Sequence, residues 1–318
     1  MEKAASDLHV IEKLLESELK AQLDVLKDVA SHVLFAGGKR LRPLLMILCA
    51  RLCGQVSAEI FRVSIVFEYL HVASLLHDDL IDEAKVRRGK PAAHMVWGNA
   101  GAVLSGDYLL ARALTIIAET KNINIVKRLA FLTTEMAQGE LHQLTLKGNT
   151  EISKEMYFKI IHKKTALLME TACCVGGMLV GADVKKVEAL RQYGYHLGMG
   201  FQIVDDILDY TAESNSFGKK IGTDLEEGKL TLPLILALAS CKEAEKKEIL
   251  QIFGQPNVSD STIRRVVAIF KKYNSLQEAQ KHARKEIDQA IEALSIFPSS
   301  EPHDMLKNIA MYAILRKV

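Results

Sequence analysis

Apolar residues recur at three- and four-residue spacing along most of the chain, and few stretches alternate apolar with polar, so the dominant period is helical. The pattern predicts an all-α fold. Leu8, Ile11, Leu14, Leu15, Leu19 and Leu23 form one stripe of an N-terminal amphipathic helix that covers a core or a partner. Phe61 to Asp82 reads as one long, largely apolar helix ending in carboxylates, and Gly106-Asp107-Tyr108 opens another. Leu129 to Leu146 continues as the next helix, with Glu140 and Gln143 about one turn apart. Lys163-Lys164-Thr165 precedes an apolar helix containing Cys173, Cys174, Gly176 and Gly177. Thr211 to Lys229 is the longest polar loop, long enough to act as a lid. Beyond Pro233 the chain reads as helical to its closing Arg316-Lys317.

No linker rich in Pro, Gly or Ser divides the 318 residues, so the expectation is one large domain spanning 1–318. A formal charge of +2 is close to balance and gives no sign of a nucleic-acid partner. The five cysteines (Cys49, Cys53, Cys173, Cys174, Cys241) form no CxxC pair, and most sit in apolar helical sequence, which fits a reducing cytoplasm. The first twenty residues mix acidic and basic groups without an apolar centre, unlike a signal or transit peptide. No uninterrupted apolar run is long enough for a transmembrane segment.

The chemistry begins at Asp78, Asp79 and Asp82, set in Leu-Leu-His and Leu-Ile sequence. On a helix Asp78 and Asp82 share a face, roughly 6 Å apart along the axis. Like charges that close, in apolar surroundings, call for a cation. Acceptor oxygens at this spacing suit magnesium, which takes one or two carboxylates and completes its octahedron with water and phosphate oxygens. Asp205, Asp206 and Asp209 repeat the arrangement far downstream. Two such helices facing each other would hold metal ions, and a diphosphate across them. A pair of solvated helix faces is the bland alternative, and the apolar flanks argue against it.

Cationic groups cluster elsewhere. Gly37-Gly38-Lys39-Arg40-Leu41-Arg42-Pro43 joins a flexible turn to a helix start, where an anion is favoured. Arg87-Arg88-Gly89-Lys90-Pro91 places two guanidiniums just past the first trio, each able to fork onto phosphate oxygens. Lys164 with Thr165 forms a third candidate, against the alternative of a solvated helix start. Glu68 and His71 make one Glu-x-x-His step, but a di-iron bundle needs two. His77 on its apolar helix is as well explained by packing as by chemistry. There is no GxxxxGK[ST] loop, no GxGxxG after a strand and no recognisable nucleophile context. The inventory binds diphosphate and stabilises it as it leaves, next to an apolar interior that protects a carbocation.

Together, the two Asp-Asp-x-x-Asp motifs, Arg87-Arg88-Gly89, Phe201-Gln202 and Gly37-Gly38-Lys39-Arg40-Leu41-Arg42-Pro43 resemble the trans-isoprenyl diphosphate synthase family. The likeness runs from Gly37 to the end of the polar loop. It implies a helical bundle around a deep central cavity, a homodimer, and head-to-tail addition of isopentenyl diphosphate to an allylic diphosphate with Mg²⁺, about three ions per site. By resemblance Asp78, Asp82 and Asp205 are the direct metal ligands, with Asp79, Asp206 and Asp209 completing the set. Arg87, Lys164, Thr165, Gln202 and Lys219 hold the allylic diphosphate, with Lys229 nearby. Lys39, Arg42, His71 and Arg88 hold isopentenyl diphosphate, and Arg316 closes that side. Ala73 and Ser74, one turn behind Asp78, line the wall along which the product grows. Both are small, so the expected product is long, roughly six or more isoprene units, with Phe67 or the Phe131 to Leu144 helix as floor. The alternatives are a shorter-chain synthase (geranylgeranyl or farnesyl), a class I terpene cyclase, a non-catalytic subunit of a heteromeric synthase and a helical scaffold.

Overall fold

The computed structural model describes residues 2–19, 23–211 and 221–315. The contacts of the chain group into two compact units, Met1–Phe131 with Thr171–Glu188 and Ser300–His303, and Leu132–Glu170 with Ala189–Ser299 and Asp304–Val318. Helices dominate both. α1 (Glu2–Ser17), α2 (Asp24–Leu34), α3 (Leu41–Cys53), α4 (Ala58–Ser64) and α5 (Val66–Ile81) are followed by a two-stranded hairpin, β1 (Val86–Arg87) and β2 (Lys90–Pro91). Next come α6 (Ala93–Glu119), α7 (Ile123–Thr145), α8 (Lys154–Ile161), a π-helical turn (His162–Ala166), α9 (Leu167–Leu179) and α10 (Val184–Thr211). α11 (Thr223–Glu226), α12 (Leu232–Ser240), α13 (Glu243–Ile252), α14 (Asp260–Lys272), α15 (Ser275–Ala293) and α16 (Glu301–Leu315) complete the described chain.

In the first unit α5 lies along α6, and α2 packs on both. Of the N-terminal stripe, Ile11, Leu15 and Leu19 are buried, whereas Leu23 lies beyond α1 and is exposed. The long helix expected from Phe61 is interrupted at Ile65; just before it, the Ser64 hydroxyl donates to the Phe61 carbonyl (2.7 Å), a bond that competes with the helical ladder. Gly106 opens no helix but lies inside α6, whose start is kinked at Gly98 (φ 74°). The reason for a glycine at 106 is packing: a Cβ there would come within 2.3 Å of His77 Nε2, so the ring occupies that space. His77 also bonds the Val103 carbonyl (3.2 Å).

By length and composition alone, Ala58–Ile81 and Ala93–Glu119 are long and apolar enough to cross a membrane, although charged residues interrupt both, as the expectation from uninterrupted runs has it. Packing accounts for much of the first one's apolar character, since 67% of its window is buried inside the protein, against 39% for the second. Val66, Phe67, Tyr69, Leu70, Val72, Ala73 and Leu76 are all interior.

In the second unit Ile203, Val204 and Ile207 of α10 join Tyr157 of α8, Leu232 and Leu234 of α12 and Phe270 of α14 in one core. That packing fixes the orientation of α10 and therefore which of its aspartates face inward.

Candidate active site

On α5 the three aspartates take different environments. Asp79 is buried, while Asp78 and Asp82 are half-buried, and the Asp82 amide donates to the Asp78 carbonyl (2.8 Å), so the expected one-turn spacing holds. Asp79 Oδ1 accepts from both Nε and Nη2 of Arg87, each at 2.5 Å. Its Oδ2 is buried with no hydrogen-bond partner among the described residues. Arg87 reaches it from a hairpin whose two-residue turn, Arg88-Gly89, has φ of 50° and 76°. Positive φ at both positions is the twist-matched hairpin geometry, and a left-handed arginine there costs about 1 kcal/mol.

The first basic cluster divides by role. Arg40, also left-handed (φ 47°), is buried and bonds Glu12 (2.6 Å), Glu68 (2.8 Å) and the Leu34 carbonyl (2.6 Å). It is structural, and it engages Glu68, which removes the Glu68–His71 ligand pair from consideration. Gly38 lies where a Cβ would sit 3.2 Å from Arg40 Nη1 and 3.3 Å from Arg88 Nη1, and Arg88 Nη1 donates to the Gly37 carbonyl. His71 is held well below the usual histidine range by burial and then by Arg42, Arg88, Arg87 and Arg40. A neutral imidazole among guanidiniums is a site short of anions. Lys39 is exposed. Ala73 is buried, and Ser74, half-buried, donates to the His71 carbonyl (2.8 Å).

The second unit holds a cavity of about 160 Å³ into which Lys164, Thr165, Gln202, Asp206, Asp224 and Lys229 converge. The π turn brings Lys164 and Thr165 there: the Leu167 amide bonds the His162 carbonyl five residues back, widening the helix, a device common at functional sites. The turn is closely packed, since a Cβ on Gly139 would fall 2.7 Å from Lys163 Cβ and one on Gly198 would fall 2.5 Å from Ala166 Cα. Lys164 Nζ pairs with Glu140 (2.7 Å) and Gln143 (2.6 Å). Thr165 Oγ1 donates to Gln202 Oε1 (2.7 Å), Gln202 Nε2 donates to Asp206 Oδ1 (2.8 Å), and the Tyr157 hydroxyl donates to Asp206 Oδ2 (2.7 Å). Burial, and then the Asp224 carboxylate, hold Asp206 well above the usual carboxylate range, against the pull of Tyr157 and Gln202. Asp209 accepts from the Asp224 amide (3.1 Å) and so fixes the start of α11, and Asp205 is half-buried. Lys229 Nζ pairs with Glu227 (2.6 Å). Lys219 and Arg316, singled out from sequence, lie outside the described residues.

Tyr157 carried no sequence signal, because an aromatic at the start of an amphipathic helix reads as core. Asp224 was visible only as one charge in a polar loop. Among the described residues no three His, Cys, Asp or Glu side chains converge closely enough to hold a metal ion alone.

Residues 23–270 match the Polyprenyl synthetase family. The chain belongs to that family. It is a trans-polyprenyl diphosphate synthase, a transferase of prenyl groups, with the all-α fold that the periodicity predicts. It is 36% identical over 313 residues to the all-trans-nonaprenyl-diphosphate synthase (geranyl-diphosphate specific) of Rhodobacter capsulatus, covering 98% of this chain and 95% of that one. It is 34% identical to the octaprenyl diphosphate synthase of Haemophilus influenzae, over 98% of this chain and 95% of that one. Among solved structures, a polyprenyl synthase from Caulobacter crescentus complexed with calcium and isoprenyl diphosphate superposes with a TM-score of 0.94 at 36% identity, covering 100% of this chain and 97% of that one.

Proposed function

We propose that this synthase adds isopentenyl diphosphate head to tail onto an allylic diphosphate, farnesyl or geranylgeranyl, and releases pyrophosphate and a long all-trans polyprenyl diphosphate. The observation that carries the reading is the second-unit cavity: Lys164, Thr165, Gln202 and Lys229, from three separate stretches of chain, converge beside a buried Asp206 that accepts from the Tyr157 hydroxyl and the Gln202 amide rather than, like Asp79, from a guanidinium.

The donor set fits magnesium. Its donors are hard carboxylate oxygens, and Asp206, raised by burial and Asp224, is the kind of group a nearby dication returns to its charged form. Asp78, Asp82 and Asp205 would be the direct ligands, supported by Asp79, Asp206 and Asp209, with waters and diphosphate oxygens filling the remaining positions. The ions, when bound, supply the charge that stabilises departing pyrophosphate. The protein's part is to hold the allylic diphosphate through Lys164, Thr165, Gln202 and Lys229, joined by Arg87 and Lys219. His71 with Arg42 and Arg88, which act on it, takes isopentenyl diphosphate together with Lys39, with Arg316 closing that side.

The product falls in the heptaprenyl to nonaprenyl range for which relatives are named. Small Ala73 and Ser74 support this, because neither blocks the wall along which the chain grows. The floor is buried Phe67 or a residue of the Phe131 to Leu144 stretch of α7, where Phe131 itself is exposed. The chain works as one synthase domain in the cytoplasm, consistent with five free thiols. It pairs as a homodimer: α6 and α7 carry exposed Leu104, Leu114, Ile123 and Phe131 in apolar stripes of the kind a partner covers.

The test is to supply labelled isopentenyl diphosphate, a farnesyl primer and Mg²⁺ and to separate the products. A ladder ending at a long polyprenyl diphosphate, abolished by chelation and restored by Mg²⁺, is expected; primer hydrolysis or cyclic hydrocarbon alone rejects the reading. Ser74→Phe shortens the longest product, and an unchanged ladder removes Ser74 from the wall. Light scattering on the purified chain reads the dimer.

A further inference from the structure

Two neighbouring lysines on the π turn are held in parallel fashion by α7. Lys163 pairs with Glu135 (2.9 Å) and donates to Gln138 (3.5 Å), while Lys164 pairs with Glu140 (2.7 Å) and donates to Gln143 (2.6 Å). The pairs differ in what lies beyond them. Lys164 and Gln143 line the cavity; Lys163, Glu135, Gln138 and Glu140 do not. An ammonium has three N–H donors, so with Glu140 and Gln143 bound to two, the third is left for a phosphate oxygen. A second glutamine at position 140 would have seated the lysine equally well by hydrogen bonding. A carboxylate does something more: it offsets the charge that Lys164 presents to the cavity.

We infer that Glu140 is a positioning residue that tunes Lys164 for release, weakening its grip on the pyrophosphate product by supplying a competing anion on the far side of the ammonium. The inference rests on the reading that Lys164 meets diphosphate. While the cavity is empty, Glu140 and Gln143 hold the ammonium at the cavity wall. With diphosphate bound, the ammonium is shared between two anions, and the attraction to either is less than it would be alone. Both residues are partly screened by solvent, with side chains 26% and 17% exposed, so the effect is moderate.

The experiment measures the inhibition constant of inorganic pyrophosphate, with Mg²⁺, against the allylic substrate. Glu140→Gln is expected to tighten pyrophosphate by about three- to tenfold, as removal of one nearby negative charge in a partly screened site implies. Glu140→Asp stays close to the parent, and Glu135→Gln, which alters the matching pair outside the cavity, leaves the constant unchanged. A merely structural role for Glu140 predicts weaker binding or none. Thermal melts establish that each variant is folded, and Glu140→Ser takes the place of Glu140→Gln should the latter not fold. Lys164→Ala separates the two layers. If it does not weaken pyrophosphate, Lys164 is not a diphosphate ligand and the underlying reading fails. If it weakens pyrophosphate while Glu140→Gln leaves it unchanged or weaker, the tuning role is overturned and the reading stands.

Discussion

On α5 the middle carboxylate, Asp79, is buried against the Arg87 guanidinium, while on α10 the middle carboxylate, Asp206, is buried to a similar degree and, among the described residues, accepts from a tyrosine hydroxyl and a glutamine amide. The motifs are spelled alike and spaced alike. Their charge balance is not: the first is neutralised from within the protein, and the second is aggravated by Asp224. A buried charge without an opposite charge beside it costs several kcal/mol, so among the described residues the α10 centre lacks the counter-charge that Arg87 gives one oxygen of Asp79 on α5. On α5 Arg87 locks the register between hairpin and helix through the middle carboxylate, while Asp78 and Asp82 flank it half-buried.

The largest effect should come from the flanking aspartates, where the two motifs are expected to behave alike. Asp78→Ala and Asp205→Ala each lower kcat/KM by about 10³-fold, the scale of losing one principal source of charge stabilisation in the transition state. Pyrophosphate release measures it. Near-normal activity in one variant but not the other would reduce the pair of motifs to a single working site. The middle aspartates should then split. Asp79→Asn strands Arg87 and lowers stability by about 2 kcal/mol, discounted for a guanidinium one-third exposed, whereas Asp206→Asn keeps the Gln202 amide on its remaining oxygen, lets the Tyr157 hydroxyl turn and accept from the new NH2, and changes stability by less than about 1 kcal/mol. Urea denaturation at pH 7 without metal compares them. Equal losses would erase the electrostatic difference between the trios.

The smallest effect separates the units by pH. His71 is depressed, so below about pH 6.5 the unfolded chain takes up a proton that the folded chain refuses, and stability falls as pH drops through that region. His71→Asn should flatten this slope, by about 1 kcal/mol between pH 6.5 and 5.5. Glu170 behaves differently. Burial alone would raise it, but His162 (2.8 Å) and Arg191 (2.9 Å) prevail and hold it below the usual carboxylate range. Its contribution is complete above about pH 4.3 and is lost only as pH falls below that value. Denaturation curves at half-unit pH steps distinguish the windows, and a His71→Asn slope identical to the parent would show that burial and the arginine cluster together do not depress His71.

Much of this was legible in the chain. The helical period, the two aspartate trios and the three basic stretches are local patterns, and local patterns survive in sequence because each reflects the geometry of a single element. Less legible was which member of each cluster does what. Arg40 and Arg42 look equivalent in Lys39-Arg40-Leu41-Arg42, yet Arg40 is consumed by Glu12, Glu68 and the Leu34 carbonyl. Glu140 and Gln143 could be seen to share a helix face, but not that the face meets Lys164. Gly106 looked like a helix start because glycine breaks helices in isolation; its neighbour His77, 29 positions earlier, supplies the reason it sits in the middle of one.

The order of residues by itself determined the all-α class, the family and the chemical type of the site, since these follow from periodicity and from carboxylates and cations at fixed spacing. Tertiary structure alone decided the partnerships: Arg87 with Asp79, Tyr157 with Asp206, Asp224 beside it, and Glu140 behind Lys164. The physical reason is range. A helix fixes neighbours three and four residues away, but the sign and strength of a buried charge depend on groups 8, 49, 18 and 24 positions distant, and only packing brings those together.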